Sequence, residues 1–127
     1  MSIRILFLAA GIGCGLGLFN RSDATIFNGE WLFKVCQMSS PKTDTEYAEW
    51  GMCLAYVTAI SDISDVRNNL DGGPMGICAP TGTTVQALRE TVVRMMVERP
   101  AIRKMPAAYI AQFALRQKYP CLDEATQ

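Results

Sequence analysis

Five cysteines stand in this 127-residue chain, Cys14, Cys36, Cys53, Cys78 and Cys121, and there is no histidine. Without an imidazole there is no Ser-His-Asp triad, no Cys-His dyad and no His-ligated zinc. No two cysteines have the C-x-x-C spacing of a thioredoxin-type redox pair or a zinc ribbon. The carboxylates are no better placed. Glu46 and Glu49 share one turn at the start of a candidate helix, where negative charge simply meets the positive end of the helix dipole. Asp62 and Asp65 are three apart, but two lone carboxylates make a poor transition-metal site. Adding Asp71 does not supply the oxygens of a calcium loop. Gly72-Gly73-Pro74 is not a phosphate loop, because no Gly-Lys-Ser/Thr follows it and no strand precedes it. The serines lie in no nucleophile motif. The residue types therefore predict no catalytic residue, no metal and no cofactor.

The first segment explains what the cysteines are for. Met1–Phe19 reads MSIRILFLAAGIGCGLGLF, with one positive charge, Arg4, before fifteen uncharged residues. That is the pattern of a secretory signal peptide, and it is short for a membrane span. Ser22 and Ala24 supply small residues at the −3 and −1 positions of a cleavage site after Ala24. Residues 1–24 read as a signal peptide and 25–127 as the mature, exported domain. Cys14 falls within the leader, as a small apolar residue.

The mature part keeps Cys36, Cys53, Cys78 and Cys121, an even number in a small exported chain, which reads as two structural disulfides. Four cysteines allow three connectivities. The expected pairing is Cys53–Cys78 with Cys36–Cys121. The first bridge would tie a Gly/Asn-rich loop back onto the helix before it, and the second would staple the first helix to the chain end.

Four helices must position these residues. Phe27–Met38 carries Trp31 and Val35, with Phe27 and Met38, at three- and four-residue spacing; Asn28 is its candidate cap and Pro41 follows its end. The second runs from about Asp44 to Ser64, opened by a Thr43/Glu46 capping box. Its stripe is Tyr47, Trp50, Leu54 and Val57, widened by Cys53, Ile60 and Ile63. Gly51, Ala55 and Ala59 repeat every four residues on it, a strip that admits close approach of another helix. The third is Thr84–Arg99, with a second capping box at Thr83/Gln86, an apolar stripe of Val85, Leu88, Val92, Met95 and Met96, and Arg89, Arg94 and Arg99 placed off that stripe. Glu90 and Arg94 have i,i+4 spacing, and Pro100 stops the helix. The fourth spans about Pro106–Tyr119, with Ile110, Phe113, Ala114 and Tyr109 facing inward. Met95 and Met96 read as core filling, and Arg103 and Lys104 as a solvated connection. Between the second and third helices, Val66–Gly82 holds four glycines and two prolines and reads as a long loop. No alternation of period two is present. The fold class is all-α: a small four-helix domain stapled by two disulfides.

Twelve basic residues balance twelve acidic ones, so there is no basic excess to attract nucleic acid or an anionic membrane. The charge is uneven along the chain. Thr25–Asp71 has three basic and seven acidic residues, and Gly72–Gln127 has seven and four. An acidic face and a basic face either stand apart or meet inside the bundle.

The order of motifs resembles a known family. Cys53-Leu-Ala-Tyr56 is followed by Asp62, then Ile77-Cys78-Ala79-Pro80, Gln86-Ala87-Leu88, Arg99-Pro100 and finally Ala114-Leu115 with Pro120-Cys121. Gly29 through Cys36 corresponds to the opening helix. This is similar to the Rap/Tai family of immunity proteins, small exported helical proteins of Gram-negative bacteria that neutralise peptidoglycan amidases delivered by type VI secretion. Two positions depart from the pattern: Ala55 stands where glycine is expected, and Ala79 is inserted between Cys78 and Pro80. The resemblance implies a non-enzymatic binding protein whose partner is an amidase effector, and a homodimer. The loop is the candidate inhibitory element, through Asp71, Gly72, Gly73, Pro74 and Met75; the alternative is an inert connector held by Cys78. A periplasmic structural or stress-related binding protein is the rival function.

Overall fold

In the computed structural model, residues 26–69 and 76–121 are described. The expected leader over residues 1–24 and the candidate residues Asp71, Gly72, Gly73, Pro74 and Met75 lie outside them. Four α-helices carry the described chain: α1 (Gly29–Cys36), α2 (Asp44–Asn69), α3 (Val85–Glu98) and α4 (Ala107–Lys118). A 3-10 helix over Pro100–Lys104 links α3 to α4. Among the described residues there is no strand, only two isolated bridges, Asn28–Pro106 and Ile77–Pro120. The all-α, two-disulfide architecture is the one the sequence predicts.

The helix starts follow from side-chain chemistry. Asn28 Oδ1 accepts from the Trp31 amide at 3.0 Å, which satisfies one of the unpaired donors at the start of α1. The Thr43/Glu46 capping box forms in both directions: the Glu46 amide donates to Thr43 Oγ1 at 3.2 Å, and the Thr43 amide to Glu46 Oε2 at 3.1 Å. At α3 the capping residue is Thr84 rather than Thr83, with its hydroxyl accepting from Ala87 N at 3.2 Å. Thr83 is occupied elsewhere: its hydroxyl donates to Pro80 O at 2.7 Å. Helix α2 continues five residues past the expected Ser64, to Asn69, because the first helix-breaking residue in this stretch is Gly72.

One core joins all four helices. Leu32, Val35 and Cys36 of α1 meet Cys53 and Val57 of α2, Leu88, Val92, Met95 and Met96 of α3, and Ala107, Ile110, Ala111, Ala114 and Leu115 of α4. Both methionines are buried, as expected for core filling. The inward face of α2 is rotated from its expected stripe. Cys53, Val57, Ser61 and Ser64 point in, while Tyr47 and Ile63 are exposed by half or more. The reason is polar: Ser61 and Ser64 continue the Cys53–Val57 face at four- and three-residue steps, and Ser64 finds a partner inside. Tyr109, expected to face inward, is half exposed beside Phe113.

Arg89 was expected off the core, and it is 5 % exposed. Its Nη1 donates to the Cys36 carbonyl at 2.5 Å and the Met38 carbonyl at 3.0 Å. A cation thus closes the carbonyl end of α1, where the helix dipole favours positive charge. Arg103 is likewise built in: its guanidinium lies 3.4 Å over the Phe33 ring and its Nε donates to Met96 O. The expected Glu90–Arg94 pair is replaced by a bond from Gln86 Nε2 to Glu90 at 3.3 Å.

Candidate functional site

The segment between Asn69 and Gly76 leaves from α2 and returns to the core at Ile77. On one side α2 delivers the chain to Asn69. On the other, Gly76 re-enters with φ +77°, a left-handed conformation that glycine adopts without a Cβ penalty. Ile77 is then fully buried. Its carbonyl accepts from the Ser64 hydroxyl at 3.1 Å. The Cys78 amide donates to Tyr119 O at 2.8 Å, and Cys78 is bonded to Cys121. Three independent contacts thus hold Ile77–Cys78 against the ends of α2 and α4. The expectation that Cys78 pins the loop holds, but its partner is different.

The disulfides are Cys36–Cys53 and Cys78–Cys121, with Cα–Cα distances of 5.1 and 4.9 Å. This corrects the expected Cys53–Cys78 and Cys36–Cys121. Ser64, bonded to Ile77, lies eleven residues beyond Cys53 on α2, or ~16 Å at 1.5 Å per residue. A disulfide needs Cα atoms within ~7 Å. Cys53 instead faces the last residue of α1, because a short connection returns α2 along α1. The two bridges differ in burial: Cys36 and Cys53 are fully buried, whereas Cys78 is exposed.

A second surface lies on α2. Its exposed positions from Tyr47 to Ala59 are Tyr47, Ala48, Gly51, Met52, Ala55 and Ala59, with no charge among them. The Gly51, Ala55, Ala59 strip found in the sequence therefore faces outward, not toward another helix of this chain. A Cβ added at Gly51 would meet nothing within 4 Å. Beside the strip, Phe27 stacks on Trp31 with centroids 4.0 Å apart, and both rings meet Tyr56 edge-on. Phe27, Trp31, Met52, Ala55 and Tyr56 line an open apolar hollow of about 320 Å³. Burial there raises the Tyr56 phenol above its usual pKa by desolvation. Phe27 is exposed and Trp31 and Tyr56 are partly buried, so this aromatic cluster borders the uncharged helix face at the surface. The sequence carried the signal in the small-residue repeat, but not the side it faces.

A third feature is a polar cleft of about 290 Å³ between α2 and the Ala79–Val85 segment. It brings Asp62 and Asp65, the pair three residues apart in the sequence, beside Ser61 and the threonines of that segment. No group of three or more potential metal ligands occurs among the described residues, and no described helix is long and apolar enough to cross a membrane.

The family model described as Rap1a immunity proteins matches residues 28–121. That span runs from the α1 cap to the last cysteine, so it contains the whole described bundle and both disulfides. No curated protein and no solved structure matches the chain.

Proposed function

Because the chain belongs to the Rap1a immunity protein family, we propose that it binds a peptidoglycan amidase effector of type VI secretion in the periplasm and blocks its activity. The family's role is immunity against an effector, by binding rather than by catalysis. The observation that carries the proposal is the family match across residues 28–121. Two disulfides support an oxidising compartment such as the periplasm, reached through the leader read in Met1–Ala24.

The inhibitory element is the segment between Asn69 and Gly76, through Asp71, Gly72, Gly73, Pro74 and Met75. What supports this is its frame. A loop whose exit is held by the Ser64 hydroxyl, the Tyr119 carbonyl and a disulfide loses less freedom on binding than one attached to free ends. Self-association uses the uncharged stripe of α2. A two-fold contact sets a surface against its own copy, so a central charge would face its like; this stripe has none.

The test is to tag the protein, mix it with secreted and periplasmic extract of its own source and identify what is retained. One stoichiometric partner with peptidoglycan amidase activity, silenced by the protein, is the expected result. A spread of weak unrelated clients would replace this reading with that of a structural or stress-related binding protein.

A further inference from the structure

We propose that the Cys78–Cys121 disulfide is a reversible exchange site for a protein dithiol of the thioredoxin type. The dithiol enters at the Cys78 sulfur, and the reduced chain keeps its fold and closes the same bridge again. The immunity reading plays no part in this inference.

In thiol–disulfide exchange a thiolate attacks one sulfur as the other leaves, so access decides which bridge reacts and at which end. Cys36 and Cys53 each belong to a helix and are fully buried. A thiolate reaches them only when the core opens. Cys78 differs on both counts: it is exposed, and Cys78-Ala79-Pro80 belongs to no helix or strand. Cys121 is partly buried. Attack therefore falls on Cys78 Sγ, with Cys121 as the leaving group.

The exchange balances without any further reactant. One thiolate of the dithiol bonds to Cys78 Sγ as the bond to Cys121 breaks, and the Cys121 thiolate takes up a proton. The second thiol of the dithiol loses its proton and displaces Cys78, which is protonated in turn. The dithiol ends as a disulfide, and Cys78 and Cys121 end as two thiols. Two electrons and two protons have passed to this chain.

The surroundings of the bridge do not depend on it. The Cys78 amide donates to Tyr119 O at 2.8 Å, and Ile77 pairs with Pro120. The Ser64 hydroxyl holds Ile77 O, and the Arg116 stem lies against Gly76, where an added Cβ would meet its Cδ at 2.8 Å. Gly76–Cys78 and Arg116–Pro120 are thus held side by side by contacts that involve neither sulfur. The core and the Cys36–Cys53 bridge are untouched. Opening the bond detaches Cys121 and leaves Ile77 seated. The two thiols remain at high effective concentration, so reclosure is intramolecular.

The experiment uses protein expressed from its full-length gene with both bridges formed. The first probe is a thioredoxin whose second active-site cysteine is replaced by serine, so that a mixed disulfide persists. Peptide mass spectrometry should find the adduct on Cys78, with adducts on Cys36 and Cys53 at least ~100-fold rarer, since those require the core to open. Intact reduced thioredoxin should then give alkylatable thiols at Cys78 and Cys121 alone, with the amide NMR shifts of Val57, Val92 and Leu115 unchanged. After its removal, oxidised glutathione should restore Cys78–Cys121 within one chain, at a rate independent of protein concentration. No adduct, an adduct mainly on Cys121 or the buried pair, loss of the core shifts on reduction, or reclosure between chains would each overturn the proposal. No effector enters the experiment, so these outcomes leave the immunity reading standing, while a failure to silence an amidase leaves the exchange site standing.

Discussion

The Ser64 hydroxyl donates to the Ile77 carbonyl at 3.1 Å, and both residues are fully buried. This single bond joins α2 to the chain on the far side of the long loop, bypassing everything between. Ser64→Ala would leave the Ile77 carbonyl without this donor, at a cost of about 1–3 kcal/mol. Urea denaturation should show that loss. Hydrogen exchange should quicken at Cys78 more than at Val92 on the opposite side of the core.

Replacing Asp71 through Met75 by a Gly/Ser linker of equal length should abolish inhibition of the amidase and leave the thermal midpoint within a few degrees of the parent. The core and both bridges lie outside the replaced segment. Unchanged inhibition would reduce the segment to a connector.

The two disulfides should separate under reductant. Cys78 is exposed and Cys36 and Cys53 are fully buried, so mild reduction should open Cys78–Cys121 first, as mass spectrometry of alkylated protein would show. The bridges close 17 and 43 residues, worth ~3 and ~4 kcal/mol in the chain-entropy model. A Cys78→Ser/Cys121→Ser double variant should therefore be the less stable of the two double variants, and the one that loses inhibition.

Two helical glycines should respond oppositely to alanine. A Cβ at Gly29 would overlap Ile110 Cδ1 and lie 2.6 Å from the Arg103 backbone, so Gly29→Ala should cost ~2 kcal/mol or more. At Gly51 the space is open, and alanine should add ~1 kcal/mol through helix propensity. Paired denaturation curves decide both signs.

Much of this molecule was legible beforehand, and the exceptions have a common cause. Helix positions, the Asn28 cap and the Thr43/Glu46 box depend on neighbours within four residues, and the sequence contains those neighbours. The cysteine pairing depends on which way α2 returns along α1. Arg89 reads as a surface cation until the carbonyl end of α1 is placed beside it. Tyr47 and Ile63 are apolar and in phase, but two serines occupy the inward positions, and no local pattern reports that Ser64 will find Ile77. The Asp62 cleft is equally silent, because Thr83 and Val85 reach it from another segment.

Ala55→Glu places a carboxylate at the centre of the uncharged α2 stripe, at a position already exposed in the single chain. It should leave the fold intact by circular dichroism and convert a dimer to a monomer in light scattering. If the parent is monomeric at micromolar concentration, the stripe has another purpose.

The pairing of first cysteine with second and third with fourth also bears on how the mature chain is made. Neither bridge encloses or crosses the other. If the chain is exported through a translocon from its amino end and the leader carrying Cys14 is removed, Cys36 and Cys53 emerge before the later pair appears. An oxidant that joins each new thiol to the preceding free one therefore reaches the native set directly, and nothing has to be reshuffled afterward.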